Sequence, residues 1–374
     1  MVTLESLKRC NMKYIKLLED VSNAYGAPGY EDQVIEVVKA NKGDFSLQAD
    51  AMKNLYMNFT DIDPNKPTIM LDSHMDEVGF MVQAIDENGL LLMQALGGWT
   101  AASAQSQLFM VRTNDNESYV PAVATSKPIH FMTAEEKAKP VALTDLKLDV
   151  GATSREEVIN DFGITVGQPV VPATKFQVNE KNGMMIGKAF DNRLGVAATI
   201  AVFNELGPEG VKNLPFNLVG AFATQEEVGL RGAKVTTSRI DPQVAIVFEG
   251  TPSDDYAKSA TLGQGRVKQG PQLRYRDSTY IASDHLNGLF LKASEDAGIT
   301  IQQAVRDGGG TNAGSIHTAN NGVSVITLGM PTRYAHTHYL ISAYQDFQDT
   351  VDVTVAFLKG LTAEDLAFTS LQDL

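Results

Sequence analysis

The chain has 374 residues, a length that suggests two or three domains. Of these residues 43% are hydrophobic and 20% are charged, which is typical of a soluble globular protein. Its 31 basic and 45 acidic residues give a formal net charge of −14, which argues against a nucleic-acid-binding surface because such a surface needs a basic face. The sequence has neither an apolar run near the roughly 18 residues of a spanning helix nor a basic helix suited to an anionic membrane, so no membrane partner is expected.

The stretch MVTLESLKRCNMKYIKLLED is polar and amphipathic, and it lacks the apolar core of a secretory signal peptide. Cys10 is the only cysteine, so neither an intrachain disulfide nor a thiolate zinc cage can form. Together these features predict a cytoplasmic protein, and they require that any metal site be built from His, Asp and Glu.

Helical spacing of apolar residues predicts a helix over residues 4–24, and EDQVIEVVKA is predicted as a second helix after the turn signal YGAPGYED. The runs LYMNF and PTIMLDSH read as strands. The segments VGFMVQAI and GLLLMQAL flank DENG, whose Asn88-Gly89 pair suits the tight turn of a hairpin.

From about residue 80 to residue 180, short strand-like pieces alternate with turns rich in Gly, Pro and Asn. We interpret residues 81–180 as an inserted, mostly β domain with one short helix in SREEVINDFG. The larger domain would then be split between residues 1–80 and residues 181–374.

After MMIGKAFDN, nearly continuous apolar strands alternate with amphipathic helices. The predicted strands are PFNLVGAFAT, QVAIVFEG and GVSVITLGM. The predicted helices are RLGVAATIAVFNELG, which ends at Gly207, LNGLFLKASEDAGI and YQDFQDTVDVTVAFLKGL. This order predicts an α/β fold in which a mixed, mostly parallel sheet is covered by helices.

Carboxylates or imidazoles follow five of the buried strands. They are His74 and Asp76, Asp191, Glu226 and Glu227, Glu249, and His336 and His338. Sites in open α/β sheets form outside the carboxyl ends of the strands, so we expect these side chains to meet at one edge. Histidines and carboxylates without cysteine suit zinc, cobalt or manganese. Two ions sharing a bridging carboxylate balance this much negative charge better than one ion does.

The spacing within this set suggests a division of roles. A metal-ligating histidine usually donates its other N–H to a carboxylate, and Asp76 lies two residues after His74. The adjacent Glu226 and Glu227 must point in different directions, so one can bind a metal while the other transfers protons.

Several long segments resemble the dinuclear metallo-aminopeptidases of the glutamyl aminopeptidase/TET family. They are HMDEVGF, AVATSKPIHFM, LKLDVGATSREE, KAFDNRLG, QEEVGLRGAK, GGGTNAG and RYAHTH, and they cover nearly the whole chain in the family's order. The resemblance implies a catalytic domain, an inserted dimerisation domain and a homo-oligomer, which we expect to be a hollow tetrahedral dodecamer built from dimers.

The resemblance also implies five metal ligands: His74, Asp191, Glu227, Glu249 and His336. Asp191 would bridge the two ions. His74 and Glu249 would complete the first site, and Glu227 and His336 would complete the second. Zinc or cobalt is expected, with manganese as the alternative. Many relatives carry Asp where this chain has Glu249, and the longer side chain leaves the metal preference open.

The function implied is metal-dependent removal of N-terminal residues from peptides by water activated at two metal ions. Glu226 would be the general base, and Asp76 the carboxylate behind His74. A preference for acidic N-terminal residues would need a cation in the pocket. Candidate cations in family-like segments are Arg266, Arg306 and Arg333.

Other interpretations remain open at this point. They are a metal-dependent carboxypeptidase or deacylase, a glycan hydrolase, and a catalytically dead assembly protein. A glycosidase would normally need two metal-free carboxylates, and the two histidines argue against it. Dead relatives usually lose ligands, whereas every expected position here holds a competent side chain.

His338 either touches substrate or forms a local hydrogen bond. Gly308, Gly309 and Gly310 form a flexible turn that the resemblance places beside the substrate, and His130, His285 and His317 are predicted to be structural.

Overall fold

The computed structural model of the protein describes residues 12–60 and 62–369. The helices are α1 Ile15–Asn23, α2 Asp32–Asn41, α3 Ala101–Ala104, α4 Ala134–Ala138, α5 Arg155–Asn160, α6 Phe190–Lys212, α7 Arg231–Ile240, α8 Asp284–Ala297, α9 Asn312–Ile316 and α10 Tyr344–Gly360. Short 3-10 helices span Ile129–Phe131, Leu143–Asp145 and Glu364–Thr369.

The strands are β1 Leu47–Ala49, β2 Leu55–Met57, β3 Thr68–His74, β4 Gly79–Ile85, β5 Leu91–Leu96, β6 Leu108–Arg112, β7 Tyr119–Ala124, β8 Lys147–Asp149, β9 Pro169–Pro172, β10 Gln177–Asn179, β11 Met184–Gly187, β12 Asn217–Ala223, β13 Val244–Pro252, β14 Gln272–Arg276, β15 Gln302–Val305, β16 Ser324–Arg333 and β17 Leu340–Ala343.

A large mixed sheet of eleven strands organises the main domain. Its order is β1-β2-β12-β3-β13-β16-β17-β11-β10, with β14 pairing with both β16 and β15. The four central strands β12, β3, β13 and β16 are parallel, and the outer strands on this path are antiparallel to their neighbours. The predicted α/β fold with a mixed, mostly parallel sheet is therefore confirmed in its parallel centre.

Both faces of the central strands are covered by helices. Leu71 of β3 belongs to a core shared with α6 and α10, whereas the preceding Met70 belongs to a core shared with α7 and α9. Successive residues of a strand point to opposite faces, so a strand buried on both faces must be apolar throughout. This is why the central strands appear in the sequence as continuous apolar runs.

A second sheet closes into a small barrel between Gly79 and Pro172. Its strand order is β4-β5-β8-β7-β6-β9, and β9 pairs back with β4. The barrel has its own apolar core, which includes Phe80, Phe109 and Leu148. The predicted hairpin is confirmed as β4-β5, and the short predicted helix is α5. Beyond the barrel the large sheet resumes with β10.

Some elements extend differently from their predictions. The predicted helix over residues 4–24 is confirmed over Ile15–Asn23, and residues 4–11 lie outside the described part of the chain. The predicted end of the first helical segment of α6 at Gly207 is confirmed, since the φ of 66° and ψ of 166° there are not helical, and a short second segment beginning with Pro208 extends α6 to Lys212. Strands β13 and β16 continue through polar residues because they remain paired in register as far as Pro252 and Thr332.

Among the helices of residues 12–60 and 62–369, none is both long enough and apolar enough to cross a bilayer.

Candidate metal centre

The parallel register of three strands brings distant segments of the chain to one edge of the sheet. His74, the last residue of β3, is paired with Ala223, the last residue of β12. On the other side of β3, Asp72 is paired with Val247 of β13. Glu249 therefore lies level with His74, because each is two residues further along its strand.

Asp191 reaches the same edge from the first turn of α6. The φ/ψ angles of Asp191 and Asn192 are not helical, and Nδ2 of Asn192 donates a 2.6 Å hydrogen bond to the carbonyl oxygen of Phe248. A Cβ atom on Gly250 would lie 2.6 Å from the Cα of Asp191. Only glycine allows this close approach, which places Asp191 against β13.

The Asp191 carboxylate lies between two imidazole rings. Its Oδ1 is 3.4 Å from Nε2 of His74, and its Oδ2 is 3.6 Å from Nε2 of His336. Glu249 Oε2 lies 3.8 Å from the same His74 nitrogen, and Glu227 Oε2 lies 3.5 Å from the His336 nitrogen. A carboxylate shared by two histidines, each flanked by another glutamate, can bridge two cations.

Glu226 belongs to the same cluster. Its Oε2 is 3.9 Å from Nε2 of His74, so it is about as close to this ring as Glu249 is. Two sets of three residues have ligand atoms within 4.8 Å of one another: His74, Asp191 and Glu227, and His74, Glu226 and Glu249. The distance from His74 therefore does not distinguish the predicted general base, Glu226, from the predicted metal ligand Glu249.

The remaining ring nitrogens face main-chain oxygens. Nδ1 of His74 is 3.1 Å from the main-chain oxygen of Asp76, and Nδ1 of His336 is 3.0 Å from that of Gly98, just after barrel strand β5. A carbonyl oxygen can only accept a hydrogen bond, so each Nδ1 carries the hydrogen. In the neutral form of each ring, Nε2 is then left with its lone pair towards the cluster, which is the form that binds a cation.

The carboxylate of Asp76 has a contact that the sequence did not reveal. Its Oδ1 accepts a 2.9 Å hydrogen bond from the main-chain N–H of Glu226, and its Oδ2 accepts one of 3.0 Å from Glu227. The same Oδ1 lies 3.4 Å from Nδ1 of His74, further than the main-chain oxygen. That the Asp76 carboxylate orients His74 stays a prediction. Its hydrogen bonds to the main-chain N–H groups of Glu226 and Glu227 are seen directly in the structure.

The buried cluster contains more carboxyl groups than imidazoles. Burial, together with neighbouring carboxylates, raises the pKa of Glu227 to about 8 and those of Glu226 and Glu249 well above their usual range. Burial lowers the pKa of both histidines, but the surrounding carboxylates outweigh it. They raise the pKa of His336 to about 9 and that of His74 well above its usual range. Divalent cations would neutralise such a cluster.

The donor set fits a metal centre. Oε1 of Glu249 is buried and has no hydrogen-bond partner among the described residues, a costly state for a carboxylate oxygen that a cation would relieve. Imidazole nitrogens and carboxylate oxygens without thiolates are ligands for zinc, cobalt and manganese. The side chains that could hold metal are His74, Asp191, Glu226, Glu227, Glu249 and His336.

The cluster lines an open cleft of about 1330 Å³ between the barrel and the main domain. The barrel side contributes Trp99 and Ser103, and the main domain contributes the glycine loop of residues 308–310. Three cationic side chains also line the cleft: Lys258, Arg274 and Arg306. The cleft is large enough for several residues of an extended peptide.

Of the three arginines proposed from the sequence, one lies at the cleft. Arg306 lines it, whereas Arg333 binds Asp255 at 2.7 Å, and neither Arg333 nor Arg266 belongs to the described lining. Sequence reasoning missed Lys258 and Arg274. Neither follows a predicted central strand or lies in a recognised motif, so no sequence signal marked them.

The ring nitrogens of His338 face two main-chain oxygens of the barrel, one of which accepts from the single N–H of the neutral ring, and His338 is not among the described residues that line the cleft. Nδ1 lies 3.2 Å from the carbonyl oxygen of Ser103, and Nε2 lies 3.2 Å from that of Leu108. Its ring packs against Phe109 with centroids 4.4 Å apart, and burial lowers its pKa to about 4. His338 therefore ties the segment after β16 to the barrel.

The other three histidines lie away from the cluster. Nδ1 of His317 is 2.9 Å from the carbonyl oxygen of Ala313, and Nε2 of His285 is 3.2 Å from that of Asp365. His130 is exposed on the barrel. None of the three belongs to the described lining of the cleft.

Comparison with known proteins identifies the family. Residues 54–353 match the profile of the M42 glutamyl aminopeptidases. The chain belongs to this family. A glutamyl aminopeptidase of Lactococcus lactis subsp. cremoris is 30% identical to this M42 chain over 361 residues, which are 95% of the chain and 99% of the relative.

Solved structures agree with this assignment. A TET aminopeptidase from a marine sediment archaeon of the Thaumarchaeota superposes with a TM-score of 0.90 at 30% identity, covering 96% of this chain and 99% of the other. The Pyrococcus horikoshii TET1 peptidase, which can assemble into a tetrahedron or a large octahedral shell, has a TM-score of 0.82 at 25% identity, covering 93% and 100%. The resemblance noted in the sequence is thus confirmed, and the M42 protein is assigned to an aminopeptidase family of hydrolases.

Proposed function

We propose that this M42 protein is a dinuclear metallo-aminopeptidase that removes N-terminal residues from peptides. The observation that carries the proposal is the position of Asp191, whose two carboxylate oxygens face Nε2 of His74 and Nε2 of His336 at 3.4 and 3.6 Å. The two histidines face different oxygens of this carboxylate, as expected when a carboxylate bridges two ions. Two imidazoles on opposite sides of one carboxylate match a pair of ions.

The ligand assignment is the one that the family resemblance implies, and these distances are consistent with it. His74 and Glu249 would hold one ion with Asp191, and Glu227 and His336 would hold the other with the same carboxylate. Zinc or cobalt is the proposed metal, with manganese as the alternative. When bound, the two ions would supply Lewis acidity that polarises the scissile carbonyl and lowers the pKa of water, and would hold the free amino terminus.

Glu226 is the proposed general base. Its main-chain N–H is held by Asp76, and its carboxylate lies within the cluster beside the cleft. It takes a proton from the water that attacks the scissile carbonyl and delivers it to the nitrogen of the leaving amine. A positioned base of this kind contributes roughly 10²–10⁴-fold to the rate.

We also propose that acidic N-terminal residues are preferred. Lys258 and Arg306 both bind Oδ2 of Asp254, at 3.4 and 3.1 Å, so two cations share one carboxylate at the cleft. Nε of Arg306 has no hydrogen-bond partner among the described residues. The spare positive charge suits the carboxylate of a substrate side chain, and the lactococcal relative is named a glutamyl aminopeptidase.

For the assembly we propose a homo-oligomer, expected to be a dodecamer built from dimers through the inserted domain of residues 81–180. The tetrahedral assembly of the related TET1 peptidase supports it. Ile129 and Phe131 on the barrel, which are 62% and 71% exposed, would be covered if this face of the barrel forms the interface. A stable monomer in light scattering would contradict this.

The proposed compartment is the cytoplasm, which suits a chain with one cysteine.

One experiment tests the reaction. Peptides with a free amino terminus and their N-acetylated counterparts are assayed before and after exhaustive chelation, and zinc, cobalt or manganese is then restored separately. We expect cleavage of the free peptides only, its loss on chelation together with a lower melting temperature, and recovery with metal. Equal cleavage of the acetylated peptides, or release of C-terminal residues, would support the deacylase or carboxypeptidase alternative. Full activity without metal would contradict the dinuclear site, and inactivity with both ions bound would support a dead assembly protein.

A further inference from the structure

The loop that carries Glu226 has an unusual backbone. It connects β12 to α7, and Gln225 and Leu230 within it both have a φ of +56°. This left-handed conformation is uncommon for residues other than glycine. It persists where the surroundings hold it, and such backbones cluster at functional sites. The contacts that hold this loop therefore bear on the geometry of the proposed base.

Side chains from other elements accept the main-chain N–H of every residue from 224 to 227. Asn54 accepts the first at 2.9 Å, and Glu31 accepts the second at 3.2 Å. Asp76 accepts the third and the fourth, at 2.9 and 3.0 Å. The path of this segment is thus set by three buried side chains that lie far away in the sequence.

Glu31 accepts further hydrogen bonds besides the one from Gln225. Its Oε1 also accepts from the hydroxyl of Thr224 and, at 2.8 Å, from the main-chain N–H of Gly29. Its Oε2 is buried and has no hydrogen-bond partner among the described residues. Residue 31 is the N-cap of α2, yet its side chain makes no capping hydrogen bond. The carboxylate is directed at the loop and not at its own helix.

Keeping this carboxylate buried is costly. Glu31 is fully buried, and burial together with the nearby Asp76 raises its pKa to about 7. Two buried acids close together oppose each other, and removing a carboxyl from water costs free energy unless hydrogen bonds compensate. The hydrogen bonds that offset this free-energy cost are those from Gly29 and from Thr224 and Gln225 of the loop. Burial of the Glu31 carboxylate is therefore coupled to the conformation of the loop.

We propose that Glu31 is a positioning residue for Glu226. Glu31 is not among the described residues that line the cleft, and its hydrogen bonds go to Gly29, Thr224 and Gln225 and not to the proposed metal ligands. It acts through the N–H of Gln225 and the hydroxyl of Thr224, which set the peptide planes immediately before the base, while Asp76 holds the N–H of the base itself. The inference rests on the proposed function, in which Glu226 transfers the proton.

The test compares Glu31→Ala and Glu31→Gln with the control Asp346→Ala. Asp346 is equally buried and accepts two main-chain N–H groups, from Lys268 at 2.6 Å and Gly270 at 2.9 Å, away from the metal cluster. The readouts are kcat and KM on a free-amino peptide, metal stoichiometry, and hydrogen exchange of the amides of residues 224–227.

We expect Glu31→Ala to bind both metal equivalents, to keep its KM and to lose roughly 10²-fold in kcat, because a displacement of about 1 Å at a reacting group has that effect. Amides 224–227 should exchange faster. Glu31→Gln should recover most of the rate, since its amide oxygen accepts the same hydrogen bonds. Asp346→Ala should lose stability but keep its kcat.

Three results would overturn the inference: wild-type kcat in folded Glu31→Ala, an equal loss in Asp346→Ala, or no recovery in Glu31→Gln. If Glu31→Ala does not fold, Thr224→Val removes only the hydroxyl that donates to Glu31, and wild-type kcat in that variant would overturn the inference as well. If the wild-type protein cleaves no peptide, the proposed function fails separately. Hydrogen exchange then still decides whether Glu31 holds the loop, and unchanged protection in Glu31→Ala would show that it does not.

Discussion

Nδ1 of His336 lies 3.0 Å from the carbonyl oxygen of Gly98, although 238 positions separate the two residues in the sequence. Gly98 follows strand β5 of the barrel, whereas His336 follows strand β16 of the large sheet. The barrel therefore supplies the acceptor that orients a proposed metal ligand. The inserted domain thus helps to build the site, whatever its part in assembly.

We expect Gly98→Ala to weaken metal binding at the site of His336. The added Cβ would lie 3.1 Å from Nδ1 and would displace the ring. Groups that orient a ligating histidine are typically worth 10–100-fold in affinity or activity, so activity at limiting metal should fall roughly 10-fold and recover in excess metal. Gly288→Ala in α8 is the control, because a Cβ there meets nothing within 4 Å. An unchanged metal titration for Gly98→Ala would contradict the prediction.

Substitution of the two adjacent glutamates should affect metal content and turnover differently. Glu226→Gln keeps the size of the side chain but cannot take a proton, so it should retain both ions while the rate falls roughly 10²–10⁴-fold. Glu227→Gln replaces an anionic ligand by a neutral amide, so it should lose the ion shared with His336 first and recover partly in excess metal. Metal stoichiometry and turnover are measured on both variants in parallel.

The reverse pattern would exchange these roles. If Glu226→Gln loses metal while Glu227→Gln keeps both ions and loses only rate, then Glu226 is the ligand, which its 3.9 Å distance from His74 Nε2 makes a concrete alternative. If both variants keep metal and rate, the cluster is not the active site.

Lys258→Met should reduce the preference for acidic N-terminal residues. The substitution keeps an unbranched side chain and removes a charge that shares Asp254 with Arg306. A charge-assisted hydrogen bond contributes about 1.5–3 kcal/mol, so kcat/KM for a peptide beginning with Glu should fall roughly 10-fold or more relative to one beginning with Leu. Lys292→Met is the control, because this lysine is exposed on the surface of α8 and pairs with Asp296. An equal change for both peptides would remove Lys258 from the specificity pocket.

A buried ion pair beneath the site should make stability depend on pH. Nζ of Lys188 lies 2.6 Å from Oε1 of Glu77, and burial lowers the lysine pKa to about 8. An unfolded lysine titrates near about 10.4. Between these values the unfolded chain binds more protons than the folded one, so the contribution of Lys188 to the free energy of unfolding rises with pH in this window.

Urea unfolding of the chelated wild-type protein and of Lys188→Met tests this dependence. The stability of the wild type relative to the variant should increase from pH about 8 to about 10, by at most about 3 kcal/mol, because one unit of pKa difference corresponds to about 1.4 kcal/mol. A constant difference across this range would show that the lysine pKa is not lowered in the folded protein.

The sequence by itself determined the α/β fold and the members of the polar cluster. His74, Glu226 and Glu249 each follow a continuous apolar run, and a parallel sheet brings the carboxyl ends of such runs to one edge. Both features are local, since a run of apolar residues and the polar residue that ends it can be recognised without knowing what they contact. The pairing of Asp191 with both histidines was expected only from the family resemblance, and in the structure it depends on the close approach of Asp191 to Gly250 of β13.

Only the tertiary structure decided which groups hold and flank this cluster. Gly98 provides the carbonyl oxygen that faces Nδ1 of His336, and Glu31 accepts the N–H of Gln225 in the loop that carries Glu226. Lys258 is one of the cations that line the cleft. All three lie in turns or loops, where neither the period of a helix nor that of a strand constrains the side chain. Their positions follow from how the closed barrel and the turn before α2 pack against the large sheet, and such contacts between distant segments leave no periodic signal in the chain.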